Sequence, residues 1–227
     1  MSDTTAAESI ATARDTVRDA REGKPSAAPA GRPSRPDVLV GDDGVARCAW
    51  VGADTEYQRY HDEEWGTPLH DDRALYEKIC LEGFQAGLSW RTILLRRPAF
   101  REAFNGFDID QVAAFTENDV EQLVQNAAII RHRGKIEATI ANARATLSLS
   151  TPLSELIWSF APSEPHRHAP VSLAEIPAVT PEATALSKRL RELGFRFVGP
   201  TTMYALMQSA GLVDDHVAGC WRALEPA

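Results

Sequence analysis

Residues 74–88 read ALYEKICLEGFQAGL, and their periodicity decides the fold class. At 3.6 residues per turn, Leu75, Ile79, Glu82 and Ala86 share one narrow stripe. Tyr76, Cys80, Leu81, Phe84 and Leu88 cover the other sides, so a helix here is apolar nearly all round and is expected inside a core. Asp71 or Asp72 supplies its N-terminal cap. Helical signals recur outward from this stretch. Thr116 opens a capping-box-like TEND before VEQLVQNA, GKIEATIANARATL (134–147) forms a further helix and PLSELIWSF (152–160) a short one. Pro181 suits the first turn of PEATALSKRLREL, which Gly194 ends. A last long helix runs from about Thr201 to Met207 and beyond, with a break near Gly211. Alternating apolar–polar runs with turn punctuation are almost absent, so strands are not expected and the fold class is all-α.

The chain has 227 residues, enough for one good core. Residues 1–46 read as a tail: Ile10, Ala13, Val17 and Ala20 offer a weak amphipathic helix, and PSAAPAGRPSRPD is too Pro-rich to pack. Residues 47–223 form the expected domain and 224–227 a short C-terminal tail. No apolar run reaches membrane-spanning length, and the N-terminus lacks the apolar core of a signal peptide. Three cysteines without framework spacing favour reduced thiols over disulfides, which points to the cytoplasm. A net charge of −8 argues against coating nucleic acid nonspecifically, while leaving room for one local basic face.

Three groups of residues could carry chemistry. Cys48 and His61 near the start of the domain, with His216 and Cys220 at its end, offer two thiolates and two imidazoles. His216 and Cys220 are four apart, so on a helix they share a face. The set suits a closed tetrahedral Zn²⁺; equally, these are two buried cysteines and two incidental histidines, since no C-x-x-C knuckle is present. Glu82 lies in the apolar helix, where a carboxylate is costly unless paired. Either a nearby Arg or backbone amides satisfy it, or it faces a ligand among Trp50, Tyr57, Tyr60, Trp65 and Trp90. Finally IIRHRGK (129–135) concentrates Arg131, His132, Arg133 and Lys135 between two predicted helices, and Arg91, Arg96 and Arg97 follow Trp90. Such clusters grip a phosphate backbone or form solvated charged turns.

Four stretches in order, RCAWVGADTEYQRYHDEEWG, ICLEGFQAGLSW, LVQNAAIIRHRGKI with ANARA, and FRFVGPTTMYALMQSAGLVDDHVAGC, make the chain from Arg47 to about Cys220 resemble the 3-methyladenine DNA glycosylase I family. The resemblance implies a helix-hairpin-helix base-excision glycosylase with one structural zinc on Cys48, His61, His216 and Cys220, tying the N-terminal segment to the C-terminal helix. It implies that Glu82 is the catalytic residue, lying in a base pocket in which Tyr60 bonds the base edge, Trp90 stacks on it, and Tyr57 and Trp50 line it. Gly87 and Leu88 would fill the gap left by the extruded nucleotide, and the hairpin with Arg131, His132, Arg133 and Lys135 would hold double-stranded DNA. A monomeric, monofunctional hydrolase without a Schiff-base lysine is expected. The alternative is a zinc-stapled module that recognises alkylation damage without cleaving. Ala49 and Ala128 stand where the family usually has Gly, and Asp214 where it usually has Asn; Ala128 matters if the hairpin needs a positive φ.

Overall fold

In the computed structural model, residues 36–163 and 169–223 are described. The expected N-terminal amphipathic segment, most of the Pro-rich stretch and the C-terminal tail lie outside them. Strands β1 (Val38–Val40) and β2 (Ala46–Cys48) pair antiparallel, Val38 opposite Cys48. Nine helices follow among the described residues: α1 (Thr55–Glu63), α2 (Asp72–Gln85), α3 (Trp90–Ala103), α4 (Ile109–Ala113), α5 (Glu117–Gln125), α6 (Arg133–Leu147), α7 (Leu153–Trp158), α8 (Pro181–Glu192) and α9 (Pro200–Ser209). The small sheet corrects the all-α expectation, and β1 falls inside the stretch read as tail. Three-residue strands have no room to show alternation, and Leu39 and Val40 are exposed, so no apolar pattern marks β1.

Helix α2 is the axis of the core and packs against α3, α6, α7 and α9. Every residue from Leu75 to Phe84 except Glu77 and Lys78 is buried, and each large apolar side chain among them contributes roughly 1.5–3 kcal/mol. Asp71 caps the helix by accepting from the Ala74 N–H at 2.8 Å. Its neighbour Asp72 accepts from the Leu153 and Ser154 N–H groups at 3.0 and 2.8 Å, capping α7, whose own N-cap is Pro152. Phe84, Phe100, Phe104 and Phe107 form a continuous aromatic column, beginning with Phe84 and Phe100 at 4.6 Å between centroids. Helix α2 stops at Gln85, three residues before the sequence pattern does, because Gly87 adopts φ 84° and turns the chain.

The capping box at Thr116 and Asp119, the Pro181 start and the Gly194 stop stand where the sequence places them. Helix α3 was not legible because Pro98 interrupts its pattern; burial of Ile93, Leu94, Arg97 and Phe100 carries the helix through. His216 and Cys220 do not share a helix. Helix α9 ends at Ser209, Gly211 and Gly219 take φ 76° and 89°, and residues 214–217 are irregular, with a turn only at 218–219 before Cys220. Cys48, His61, His216 and Cys220 therefore stand on β2, α1 and one irregular C-terminal segment, not on a C-terminal helix.

Lys135 is only 7% exposed and donates to the Phe84 and Ala86 carbonyls at 2.8 and 2.7 Å, closing the C-terminal end of α2; burial lowers its pKa. Lys135→Met leaves both carbonyls without that donor. The expected loss of stability is roughly 1–3 kcal/mol in denaturant unfolding, and an unchanged midpoint would mean that water replaces the ammonium at no cost.

Candidate functional site

Asp54 caps α1 by accepting from the Tyr57 N–H at 3.0 Å, which sets Tyr57 and Tyr60 on one helix face. Their rings stack at 6.4 Å. Across the Gly87 turn, Ser89 caps α3 and makes Trp90 its first residue, 5.5 Å from Tyr60 between ring centroids. Trp50, on a 3-10 turn over Ala49–Val51, packs edge-on against Tyr57 at 5.1 Å. These four rings and Trp65 wall a cavity of about 230 Å³, the size class of a small flat heterocycle. Glu82 reaches it from α2, and Ala205, Gln208 and Ser209 from α9.

Glu82 is 3% exposed, and its Oε1 accepts from the Ser209 hydroxyl at 3.3 Å. Its Oε2 is buried with no partner, as is the Trp90 indole Nε1. No arginine pairs with this carboxylate among the described residues. Burial pushes Glu82 up to about 7, while the positive charge of Lys78, one turn earlier on α2, and the Ser209 hydroxyl pull it down. The Tyr60 hydroxyl is raised well above its ordinary range, by burial first and by Glu82 second. An acceptor without a donor, set among π faces, is an arrangement that a ligand with N–H groups or positive charge completes.

Behind Trp50 and Trp65 lies the second group. One ligand atom each of Cys48, His61 and Cys220 lies within 4.8 Å of the others, and Cys220 Sγ is 3.4 Å from His61 Nε2. His216 adjoins them, its ring 5.1 Å from that of His61 and its Nε2 buried without a partner. Both imidazoles are turned by carboxylates, with His61 Nδ1 2.8 Å from Asp62 and His216 Nδ1 2.6 Å from Asp214. A carboxylate on Nδ1 is the usual outer partner of a metal-bound histidine and leaves Nε2 for the metal. Hydrogen bonding from Cys48 lowers the Cys220 thiol below the ordinary cysteine range, and the same pairing with burial raises Cys48. The donor set, the orphaned Nε2 and the carboxylate partners fit a four-coordinate metal ion.

The basic residues separate. Arg131 and His132 are exposed on the connection between α5 and α6, where the His132 ring accepts from the Lys135 N–H at 3.2 Å. Arg133 pairs with Glu117 and Glu121, Arg97 is buried against Glu64, and Arg91 is held by Asp54. Lys135, within α6, points inward to α2. Arg96 donates to the Ala127 and Ala128 carbonyls at 3.2 and 2.9 Å and braces the connection. Ala128 does not take a positive φ, so it bends the turn without the strain that a missing Gly would bring. Leu88, 43% exposed, projects from the Gly87 turn between cavity residues Gln85 and Trp90.

Sequence reasoning named Trp65 among the aromatic residues near Glu82 but missed Gln85, Leu173, Ile176, Ala205, Gln208 and Ser209 as lining. The α9 residues sit in a stretch legible as helix, but nothing in their pattern says which face meets Glu82. Because the folded-state pKa of Glu82 is raised, the folded protein holds this proton more tightly than the unfolded chain. Its contribution is full below the ordinary value of 4.5 and is lost as pH rises through about 7. Glu82→Gln removes that loss, so thermal scans at pH 8 should show the variant more stable than wild type, by up to roughly 3 kcal/mol, with the gap closing near pH 4.5; a gap independent of pH would mean that Glu82 ionises freely.

The methyladenine glycosylase family model matches residues 50–223. DNA-3-methyladenine glycosylase 1 of Escherichia coli is 52% identical over 179 residues, spanning 78% of this chain and 96% of that one. DNA-3-methyladenine glycosylase of Haemophilus influenzae is 48% identical over 179 residues, with 78% and 97% covered. A solved variant of 3-methyladenine DNA glycosylase I in complex with 3-methyladenine superposes with a TM-score of 0.75 at 35% identity, covering 80% of this chain and 99% of that one. With a matching fold, an aromatic cavity and a buried acid in one chain, the protein belongs to the methyladenine glycosylase family.

Proposed function

We propose that the protein is a monofunctional base-excision enzyme that hydrolyses the N-glycosidic bond of 3-methyladenine in double-stranded DNA. The observation that carries this reading is the unpartnered Glu82 Oε2 facing a flat cavity walled by Trp50, Tyr57, Tyr60 and Trp90. A base can reach that cavity only when its nucleotide leaves the stack, at a cost of a few kcal/mol. Alkylation at N3 leaves the adenine ring positively charged and its glycosidic bond weak. The C1′–N9 bond breaks with its electron pair going to N9, so the base departs as neutral 3-methyladenine. Water adds to C1′ and gives its proton to solvent. Glu82 need not protonate the leaving group. Its carboxylate becomes the anion when a cationic ring enters, because Coulomb attraction across a dry cavity outweighs the burial that otherwise keeps the proton on. The aromatic faces favour the same charge, and Tyr60 supplies a hydroxyl to the base edge.

None of the described lysines lines the cavity, consistent with hydrolysis without a Schiff base: Lys78 borders the neighbouring groove and Lys135 is bound to carbonyls. In this reading α5, the 126–132 connection and α6 form a helix-hairpin-helix that holds the DNA backbone through Arg131, His132 and the first amides of α6. Arg133 joins them by exchanging its glutamates for phosphate, Lys135 supports from below, and Gly87 and Leu88 fill the gap left by the extruded nucleotide. One chain contributes the whole cavity, so a monomer suffices, and three free thiols suit the cytoplasm. Cys48, His61, His216 and Cys220 would hold one structural Zn²⁺, which supplies no step of the reaction and ties the ends of the domain together.

Two measurements test this. Wild type should release free 3-methyladenine from methylated duplex DNA, read by chromatography, with Glu82→Gln slower by roughly 10²-fold or more; a folded, metal-loaded wild type that binds the DNA but releases nothing would be a damage-binding module instead. Metal analysis should find about one zinc per chain, and chelation should lower the unfolding temperature of the whole domain. Unchanged unfolding after complete metal removal would dismiss the staple.

A further inference from the structure

Gln208 is the one side-chain amide of α9 on the cavity wall, and a buried carboxylate orients it. Tyr204 and Gln208 are four residues apart on α9 and therefore share a face. Both donate to Asp215 Oδ2, the tyrosine hydroxyl at 2.6 Å and the glutamine Nε2 at 2.7 Å. Asp215 is 2% exposed and offers that oxygen only as an acceptor. The NH₂ end of Gln208 must face Asp215, since the opposite orientation would press two acceptors together. Gln208 Oε1 receives no hydrogen bond from any described residue, and Gln208 lines the cavity. The adjacent Ser209 meanwhile bonds Glu82 Oε1 and leaves Glu82 Oε2 without a donor. Two acceptors, a carboxylate oxygen and an amide oxygen, thus line one cavity.

We infer that Gln208 is a specificity-determining residue and Asp215 its positioning residue: together they present a fixed amide oxygen that selects a base bearing an exocyclic amine. An amine brings two N–H donors to two waiting acceptors. A base with a carbonyl oxygen at the same position sets its acceptor against theirs, and it leaves the buried Glu82 Oε2 unpaired, which is how a site rejects the wrong edge. The inference rests on the assignment of the cavity to a methylated purine and adds which edge of it is read.

The test uses the full-length, metal-loaded chain and two free bases, 3-methyladenine and 3-methylhypoxanthine, in which a carbonyl oxygen replaces the amine. Binding is followed by quenching of tryptophan fluorescence. Wild type should prefer 3-methyladenine, and Gln208→Met should shrink that preference by roughly three- to tenfold with the unfolding temperature held. Asp215→Leu removes the acceptor that fixes the amide, so the Oε1 and NH₂ ends of Gln208 can exchange and this variant should gain relative affinity for 3-methylhypoxanthine. Combining the two substitutions should add nothing to Gln208→Met alone. A wild-type preference that survives intact in Gln208→Met would overturn the inference while leaving the assignment of the cavity standing. Wild type that binds neither base would overturn the assignment and the inference together.

Discussion

A carboxylate buried in the central helix is the constraint on which the rest depends. Helix α2 is enclosed by α3, α6, α7 and α9, so whatever Glu82 needs must come from one of these neighbours or from a ligand. Among the described residues only the Ser209 hydroxyl comes, and it reaches one oxygen. Leaving the other acceptor unmet costs stability, and such a cost is tolerated at functional sites. Apolar burial along the same helix offsets it: Leu75, Tyr76, Ile79, Leu81 and Phe84 surround the acid in sequence and all are buried. A site of this kind binds by supplying what the fold withholds.

The neighbouring parts keep that acid in place without satisfying it. Lys135 closes the end of α2, so the helix terminus does not fray beneath the Gly87 turn that carries Leu88 and leads into Trp90. Asp72 joins the start of α2 to α7. On the far side, the His61, Trp65 and His216 rings pack together, Trp65 lying 4.5 Å from His216. The cysteine–histidine group and the aromatic cavity therefore share a wall, through Trp50 and Trp65.

Much of this was legible. The apolar wrap of 74–88, the capping box at Thr116, the Pro181 start and the four aromatic residues around Glu82 follow from local pattern and from family resemblance, and all the aromatic residues meet at one cavity. Less legible were features whose cause lies elsewhere in the chain. Three-residue strands carry no period. Pro98 hides α3, which packing restores. Among the basic residues, the run of like charge does not reveal that Lys135 faces inward or that glutamates hold Arg133.

By itself, then, the amino-acid sequence determined which helix is buried, where several helices begin and end, and which residue types could hold a metal or a flat cation, because periodicity, capping and side-chain chemistry are local properties. Only the tertiary structure decided that Glu82 keeps an unpaired oxygen, that His216 and Cys220 lie on an irregular segment beyond α9, and that Asp215 accepts from the amide of Gln208. Those facts depend on which partner arrives across more than one element, and whether a buried polar group is satisfied is settled by packing, not by its neighbours in the chain.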